Sequence, residues 1–397
     1  MTRDVRTWIE INQRSLHHNV EQFLKLIPKK TCLMAVVKSN AYGHGLVQVA
    51  KSLLALRSFS EGGWFGVDSI VEGLRLRKEG VKNPIFVLGA TLPSRLEEAA
   101  KENIIITVSN FEILKELNRI KKPPVFHVKM DTGMHRQGFL STDIPKVLKL
   151  LKSYRLRPQG IYTHFAAAKD AAYPTYTLEQ LKKFNRVVSD FRKAGFSAKG
   201  GSPSSPGYGR AGASGGKNLI RHAAASGGAL LFPEAHLDMV RIGMGLYGYW
   251  PSPEAQIAKR NAPITLRPVL TWKTVVSETK EIPRDSFVGY DLTERVPQDT
   301  KIAVLPVGYW HGYDRGLSGL SDVLVRGRRV RVLGRVSMDM IVVDVTKVSK
   351  VKAGDEVTLV GRSGKEVIWA DELALKIGTS QYEFLTRINP LIKRFIV

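Results

Sequence analysis

Apolar residues along this chain follow two different periods, and the change between them divides it. Up to about Trp250, short apolar runs alternate with amphipathic stretches. The runs predict strands at Leu33–Val37, Phe65–Asp68, Ile85–Leu88, Ile104–Val108, Val125–Lys129, Gly160–His164, Ala223–Ser226 and Met239–Gly243. Between them lie helical patterns. Leu16, Val20, Phe23 and Leu24 stripe a helix after Asn12. Thr177-Leu178-Glu179-Gln180 reads as a capping box opening a second, with Leu178, Leu181, Phe184, Val187 and Phe191 on one side and Gly195 as its stop. Eight strands separated by helices predict an α/β fold, a (β/α)8 TIM-type barrel. After Trp250-Pro251-Ser252-Pro253 the period drops to two, with strands at Ile302–Pro306, Val323–Val325, Val330–Leu333 and Met340–Val345 and a helix near Ala370–Ile377. That pattern predicts a mostly antiparallel β domain. The expected domains are therefore 13–250 for the barrel and 251–397 for the β domain, with residues 1–12 (Thr7-Trp8-Ile9-Glu10-Ile11 as a strand) pairing with the latter.

Composition narrows the picture further. The chain has 397 residues, 43% of them hydrophobic, enough for a barrel and a second module. No apolar run approaches the ~20 residues of a membrane span. The opening Met1-Thr2-Arg3-Asp4 carries no apolar signal region, so a cytoplasmic protein is expected. A single cysteine, Cys32, excludes an internal disulfide and any cysteine-rich zinc site; no metal site is expected. The net charge of +24 is spread along the chain without a like-charge block or a nucleic-acid-binding motif. It reads as a generally basic surface, not as a nucleic-acid interface. Between Lys199 and Lys217 the chain turns rich in Gly, Ser and Pro, the composition of a flexible surface loop.

Candidate chemistry collects where a barrel keeps it, at the C-terminal ends of the strands. Lys38 ends the first strand in Ala35-Val36-Val37-Lys38-Ser39-Asn40-Ala41-Tyr42-Gly43-His44-Gly45. An amine delivered by an apolar run is expected in an apolar setting, which disfavours the ammonium form and makes a nucleophile for a carbonyl. Lys129, Asp131 and Arg136 follow the fifth strand, His164 the sixth, Ser226-Gly227-Gly228 the seventh, and Arg241-Ile242-Gly243-Met244-Gly245 the eighth. Small residues after strands seven and eight suit a phosphate held by backbone N–H groups. An imine-forming lysine and a phosphate site in one mouth point to pyridoxal phosphate.

These segments closely resemble those of alanine racemases. The resemblance covers nearly the whole chain: the Lys38 motif, Lys129-Met130-Asp131-Thr132-Gly133-Met134, Tyr162-Thr163-His164-Phe165, Val240-Arg241-Ile242-Gly243, Val288-Gly289-Tyr290, Pro306-Val307-Gly308-Tyr309 and Gly334-Arg335-Val336-Ser337-Met338-Asp339. It implies a fold-type III enzyme that interconverts L- and D-alanine with pyridoxal 5'-phosphate for peptidoglycan supply, as a head-to-tail homodimer with active sites completed by the partner. Lys38 resembles the cofactor lysine and one catalytic base, Tyr290 the second base from the partner subunit. His164 resembles a histidine that orients that tyrosine, and Arg241 the arginine meeting the pyridine nitrogen. Arg136 resembles the arginine near the cofactor's phenolic oxygen and the substrate carboxylate, and Lys129 a lysine that some members carry carbamylated. Met338 and Tyr309 resemble residues at the substrate and the entrance; Tyr42, Ser226, Gly243 and Met244 resemble phosphate contacts.

Two residues and the Gly/Ser/Pro-rich insertion, which precedes the phosphate loop, depart from the family's pattern. Ala225 stands for an asparagine near Arg241, and Pro390, in Asn389-Pro390-Leu391, for a phosphate-binding tyrosine. Pro390 predicts weaker cofactor retention or a wider entrance. Three other readings compete. A decarboxylase of the same fold would want an acid at the pyridine nitrogen, where Arg241 stands. A racemase of broader specificity is consistent with an altered entrance. A non-catalytic pyridoxal phosphate-binding protein would resemble the barrel alone and would not need Tyr290 or Met338.

Overall fold

The computed structural model describes residues 4–196, 219–260 and 264–397; the Gly/Ser/Pro-rich stretch between Lys199 and Lys217 lies outside the described residues. The chain forms two compact units. One is built from Leu16–Ser39 and Ala50–Arg267, the other from Met1–Ser15, Asn40–Val49 and Pro268–Val397. The segment Asn40–Val49 thus packs with the C-terminal residues although the barrel's sequence surrounds it.

The first unit is a closed barrel of eight parallel strands. With β1 (Thr7–Ile11) belonging to the other unit, the barrel strands are β2 (Cys32–Val36), β3 (Trp64–Val67), β4 (Ile85–Val87), β5 (Ile104–Val108), β6 (Phe126–Lys129), β7 (Gly160–Tyr162), β8 (Ile220–Ala225) and β9 (Met239–Ile242). The runs of β2, β3 and β4 are wholly apolar because helices cover the outer face and side chains fill the inner one. Every residue of β2 and β5 is buried. Met34, Trp64, Phe86, Ile105, Tyr162, Ile220 and Met239 share the barrel's interior core. Two histidines, His127 and His222, are fully buried in the barrel beside Phe86.

Two local expectations fail for physical reasons. The helix Thr175–Lys193 starts before the expected capping box. Thr177 lies inside its first turn, buried, and its hydroxyl finds no partner, so it caps nothing. The buried face then turns to Thr177, Gln180, Leu181, Phe184, Val187, Val188 and Phe191, leaving Leu178 exposed. Strand β8 runs from Ile220, and Ser226 opens the following helix Ser226–Leu231 instead of ending a strand.

The second unit is a ten-stranded sheet. Its strands are β1, β10 (Leu270–Val275), β11 (Glu278–Ile282), β12 (Thr300–Leu305), β13 (Asp322–Val325), β14 (Arg328–Leu333), β15 (Ile341–Asp344), β16 (Glu356–Ser363), β17 (Glu366–Ile368) and β18 (Lys393–Ile396). They lie in the order β11-β12-β15-β14-β13-β16-β10-β1-β18, with β17 on β16. All pairs are antiparallel except β1 with β18. Alternation is plain in β10, where Leu270, Trp272 and Thr274 are buried and their neighbours are not. The edge strand β11, Glu-Thr-Lys-Glu-Ile, carries charges that discourage pairing with another edge.

Candidate active site

Lys38, Lys129, Asp131, Arg136, His164, Ser226, Arg241, Gly243 and Met244, all singled out in the sequence, lie at the C-terminal ends of the barrel strands or in the loops after them. Lys38 lies just past β2 and Asp68 just past β3; their Nζ and Oδ1 are 3.2 Å apart. The Lys38 side chain is 36% exposed. The apolar setting expected for it is therefore corrected: β2 is apolar, but its lysine emerges into a polar mouth. Asp68 was not singled out, since one acid at a strand end carries no pattern. Its backbone N–H donates to Glu72 Oε2 (2.8 Å) in the helix Ile70–Lys78, which fixes where the carboxylate starts.

Beyond Lys38 the chain does something its residues do not announce. Ser39, Asn40, Ala41 and Tyr42 have φ between +53° and +55°, so the turn Lys38–Tyr42 is left-handed. Each such residue costs about 1–2 kcal/mol. The turn is held by Asn40, whose carbonyl accepts from Gly45 N (2.9 Å) and whose Oδ1 accepts from Leu46 N (2.9 Å). The buried Arg394 adds Nε and Nη2 bonds to Gly43 O (3.0 and 2.9 Å). A Cβ on Gly43 would run into Leu385 O. Burial pulls the Arg394 guanidinium down to about 10, still charged at neutral pH. The Tyr42 ring meets that of Tyr382, with centroids 6.2 Å apart.

Past β6, the Asp131 carboxylate is used up on its own loop. Oδ1 accepts from the N–H groups of Gly133, Met134 and His135, and Oδ2 from that of Arg136. Burial would raise this carboxyl; the four donors outweigh it and hold it below the usual range. The loop presents Arg136 at the surface. Lys129 is buried, its Nζ donating to Gln137 Oε1 (2.8 Å). Burial first, then the charges of Arg136 and Arg241, bring its amine down to about 8.

Arg241, on β9, is 2% exposed and tightly bound. Nη1 donates to His222 Nδ1 (2.8 Å); Nη2 donates to Thr163 O, Ala223 O (2.8 Å each) and His164 Nδ1 (3.2 Å). Arginine has no acceptor, so these contacts settle the histidines. His222 Nδ1 must accept, its Nε2–H donates to His127 Nδ1 (2.8 Å), and His127 Nε2–H donates to Gln159 Oε1 (3.2 Å). All three rings are neutral. Burial, reinforced by Arg241, holds His164 and His222 well below the ordinary histidine value and takes His127 to about 3. The Tyr162 ring stacks on His222 (4.6 Å) and lies under the guanidinium (5.2 Å). Arg241 itself is lowered by burial to about 10 and keeps its charge. Ala225 pairs with Arg241 in the sheet, and the guanidinium takes its acceptors from other residues.

Past β8 and β9 two short backbone stretches are tied together. Ser226 Oγ accepts from Gly243 N (3.0 Å) and Gly245 N (3.4 Å). Ser226 and Met244 each begin a helical turn, whose first N–H groups have no partner within the helix. A Cβ on Gly227 would lie 2.7 Å from Ala168 O, so only glycine permits this approach.

The mouth thus holds four cations, Lys38, Lys129, Arg136 and Arg241, against Asp68 and an Asp131 already spent on its loop. It is built for anions. Models of two families match the chain: alanine racemase N-terminal domain over residues 11–206 and 209–251, and alanine racemase C-terminal domain over 269–396. The chain belongs to the alanine racemase family. It is 37% identical to an alanine racemase of Leptospira interrogans and 36% identical to one of Carboxydothermus hydrogenoformans, covering 98% of this chain in each case and 96% and 99% of the relatives. Among solved structures it is similar to alanine racemase of Clostridium difficile (30% identity, TM-score 0.86, covering 99% of this chain and 96% of that one). It is likewise similar to that of Bacillus anthracis with bound L-Ala-P (31%, TM-score 0.85, 99% and 95%).

Three positions marked by the alanine racemase resemblance lie on the C-terminal unit and not in the barrel. Tyr290 is 68% exposed, Met338 56% and Tyr309 42%. Backbone bonds from Tyr309 N to Ser337 O and Trp310 N to Met338 O (3.0 Å each) bring two of them together. Pro390 is exposed, and its carbonyl accepts from Arg394 Nη1 (3.0 Å). Among the described residues no group of His, Cys, Asp and Glu could hold a metal, and no helix is long and apolar enough to cross a membrane.

Proposed function

We propose that this chain interconverts L-alanine and D-alanine with pyridoxal 5'-phosphate, as a head-to-tail homodimer whose active sites each draw on both subunits. The cation-rich barrel mouth carries this reading. When bound, pyridoxal phosphate supplies an aldehyde that bonds to a primary amine and an electron-poor ring that acidifies an amino acid's α-hydrogen. The residues present fit it. Lys38 offers a reachable amine. The stretches at Ser226, Gly243 and Met244 offer donors for a phosphate. Arg241 offers a donor that cannot become an acceptor, so a ring nitrogen beside it stays without a proton. That weakens the ring's electron withdrawal and disfavours decarboxylation.

Inversion at carbon needs proton-handling groups on opposite faces. Lys38 Nζ serves one face and the hydroxyl of Tyr290, from the partner subunit, the other. His164, neutral and fixed through Nδ1, keeps Nε2–H as a donor to orient that phenol. Arg136 suits the substrate carboxylate as a planar donor, with the backbone at Met338 and the ring of Tyr309 on the partner's side. The Lys129 amine, lowered to about 8, is poised to add CO2 and shed a proton, giving a carbamate beside Arg136. Exposed Tyr290, Leu292, Trp310, Leu320, Met338 and Met340 on one unit are the kind of surface a second copy covers. Cytoplasmic supply of D-alanine to peptidoglycan belongs to the same proposal, through the resemblance.

Mixed dimers test it. Lys38→Ala and Tyr290→Phe should each abolish racemisation, read by chiral analysis of alanine. Dissociated and reassociated in equal amounts, they should recover about a quarter of wild-type activity: half the dimers are mixed, and each has one site with both residues intact. No recovery would place Tyr290 outside the partner's site.

A further inference from the structure

The hairpin that carries Tyr290 has a sound base and a strained tip. At the base, Phe287 bridges Arg295, Val288 N donates to Glu294 O (2.9 Å) and Val296 N to Ser286 O (3.0 Å). Val288 and Val296 are buried against Ile302 and Leu333. Glu294 adds a two-point ion pair to Arg331 of β14 (2.7 and 3.2 Å). Around Tyr290 the backbone is different. Gly289 has φ +79°, Asp291 φ +64° and ψ 12°, and Leu292 φ +51°. Two consecutive non-glycine residues in the left-handed region are uncommon, and Leu292 is exposed, so no packing of its side chain demands it. Something else must hold the tip.

The Asp291 carboxylate does. Its Oδ2 lies 3.4 Å from Arg335 Nε and 3.8 Å from Arg315 Nη2. Arg335 Nε is buried and makes no hydrogen bond, so Asp291 is what balances it. Arg335 precedes Met338 by three residues, and Arg315 follows the turn Tyr309–His311, whose first two N–H groups donate to the carbonyls of Ser337 and Met338. One carboxylate therefore ties together the three loops that present Tyr290, Tyr309 and Met338.

We infer that Asp291 is a positioning residue for Tyr290: its clasp on Arg335 and Arg315 fixes the left-handed tip and so the direction of the phenol. This rests on the reading of Tyr290 as a proton-handling group. Asp291→Asn tests it, since asparagine keeps the tolerance for a left-handed backbone and loses the charge. Exposed ion pairs are individually weak, so kcat should fall only about three- to tenfold, with an unchanged melting temperature. The discriminating readout is the primary deuterium isotope effect with α-deuterated alanine, measured from each enantiomer. It should rise in the direction where Tyr290 takes the proton and fall in the reverse, because only one of the two transfers has been slowed. Asp291→Glu should restore most of kcat, and Asp291→Gly, which relieves the backbone but has no carboxylate, should not. An unchanged ratio of the two isotope effects in Asp291→Asn, or recovery in Asp291→Gly, would overturn the clasp. The parent reading fails separately: it falls if Tyr290→Phe racemises alanine as fast as the wild type.

Discussion

The barrel mouth and the loops of the C-terminal unit are organised by opposite means. In the mouth, Arg241 is buried with four acceptors and a line of neutral histidines behind it, so its direction is fixed by hydrogen bonds that water cannot replace. On the other unit, Tyr290, Tyr309 and Met338 stand in solvent on turns held by backbone bonds and surface ion pairs. The first arrangement is complete within one chain. The second exposes aromatic and sulfur-containing side chains that make sense only when something covers them. A site for anions can be finished within one chain, while an exposed apolar surface is the kind that another surface covers.

The largest effect expected from breaking this contrast is at Arg241. Arg241→Gln leaves the carbonyls of Thr163 and Ala223 and the ring nitrogen of His222 short of a buried donor. Each orphaned group costs about 1–3 kcal/mol, so the variant should lose about 3 kcal/mol or more in denaturant unfolding. A glutamine can donate from only one nitrogen, so repair by rotation is limited. The neutral histidine line should also fail, because nothing then forces His222 Nδ1 to accept. A variant as stable as the wild type would show that the hydrogen bonds around Arg241 contribute little to holding the mouth. Substitutions at exposed Tyr290 or Met338 should leave stability nearly untouched.

Arg394 is the matching case in the C-terminal unit and the exception to its looseness. Arg394→Met removes the two bonds to Gly43 O while keeping an apolar stem of similar length. Hydrogen bonds from a charged donor contribute about 1.5–3 kcal/mol each, and the two share one acceptor, so a loss near the lower end for the pair, about 3 kcal/mol, is expected. It should show first as faster hydrogen exchange at the N–H groups of Gly45 and Leu46, which close the left-handed turn. Unchanged protection there would mean that Asn40 alone suffices.

These two arginines also mark how far a sequence can be read. The barrel strands were legible because a strand covered on both faces is mostly apolar, and β2, β3 and β4 leave little room for another reading; β8, which carries Arg221 and His222, was read too short. The gathering of Lys38, Lys129, Arg136, His164, Ser226 and Arg241 followed from strand order, since each residue sits at the end of a strand or in the loop after it. The left-handed turn was not legible: Ser39, Asn40, Ala41 and Tyr42 are ordinary residues whose backbone is imposed partly by an arginine some 350 positions later. Asp68 and His222 were missed for a related reason, as their partners come from other strands. Thr177 misled because a local capping pattern carries no information about where the preceding loop lets the helix begin.

The smallest effect concerns Lys129, where the mouth's excess of positive charge acts on one of its own members. Its amine lies lowered to about 8 by burial and by Arg136 and Arg241. A lowered lysine is charged below that value and free above it, so the fraction able to react with CO2 rises about fivefold between pH 7 and 8. Bicarbonate enriched in carbon-13 should therefore give a carbamate signal that strengthens over this interval and vanishes in Lys129→Arg. Racemisation should gain with it, by a few-fold at most, since a carbamate would only steady Arg136, whose loop the Asp131 carboxylate already holds. A signal equally strong at pH 6 and pH 8 would mean that the amine is not held near 8. Burial and the neighbouring cations would then outweigh Gln137, whose Oε1 accepts from the amine and favours its charged form.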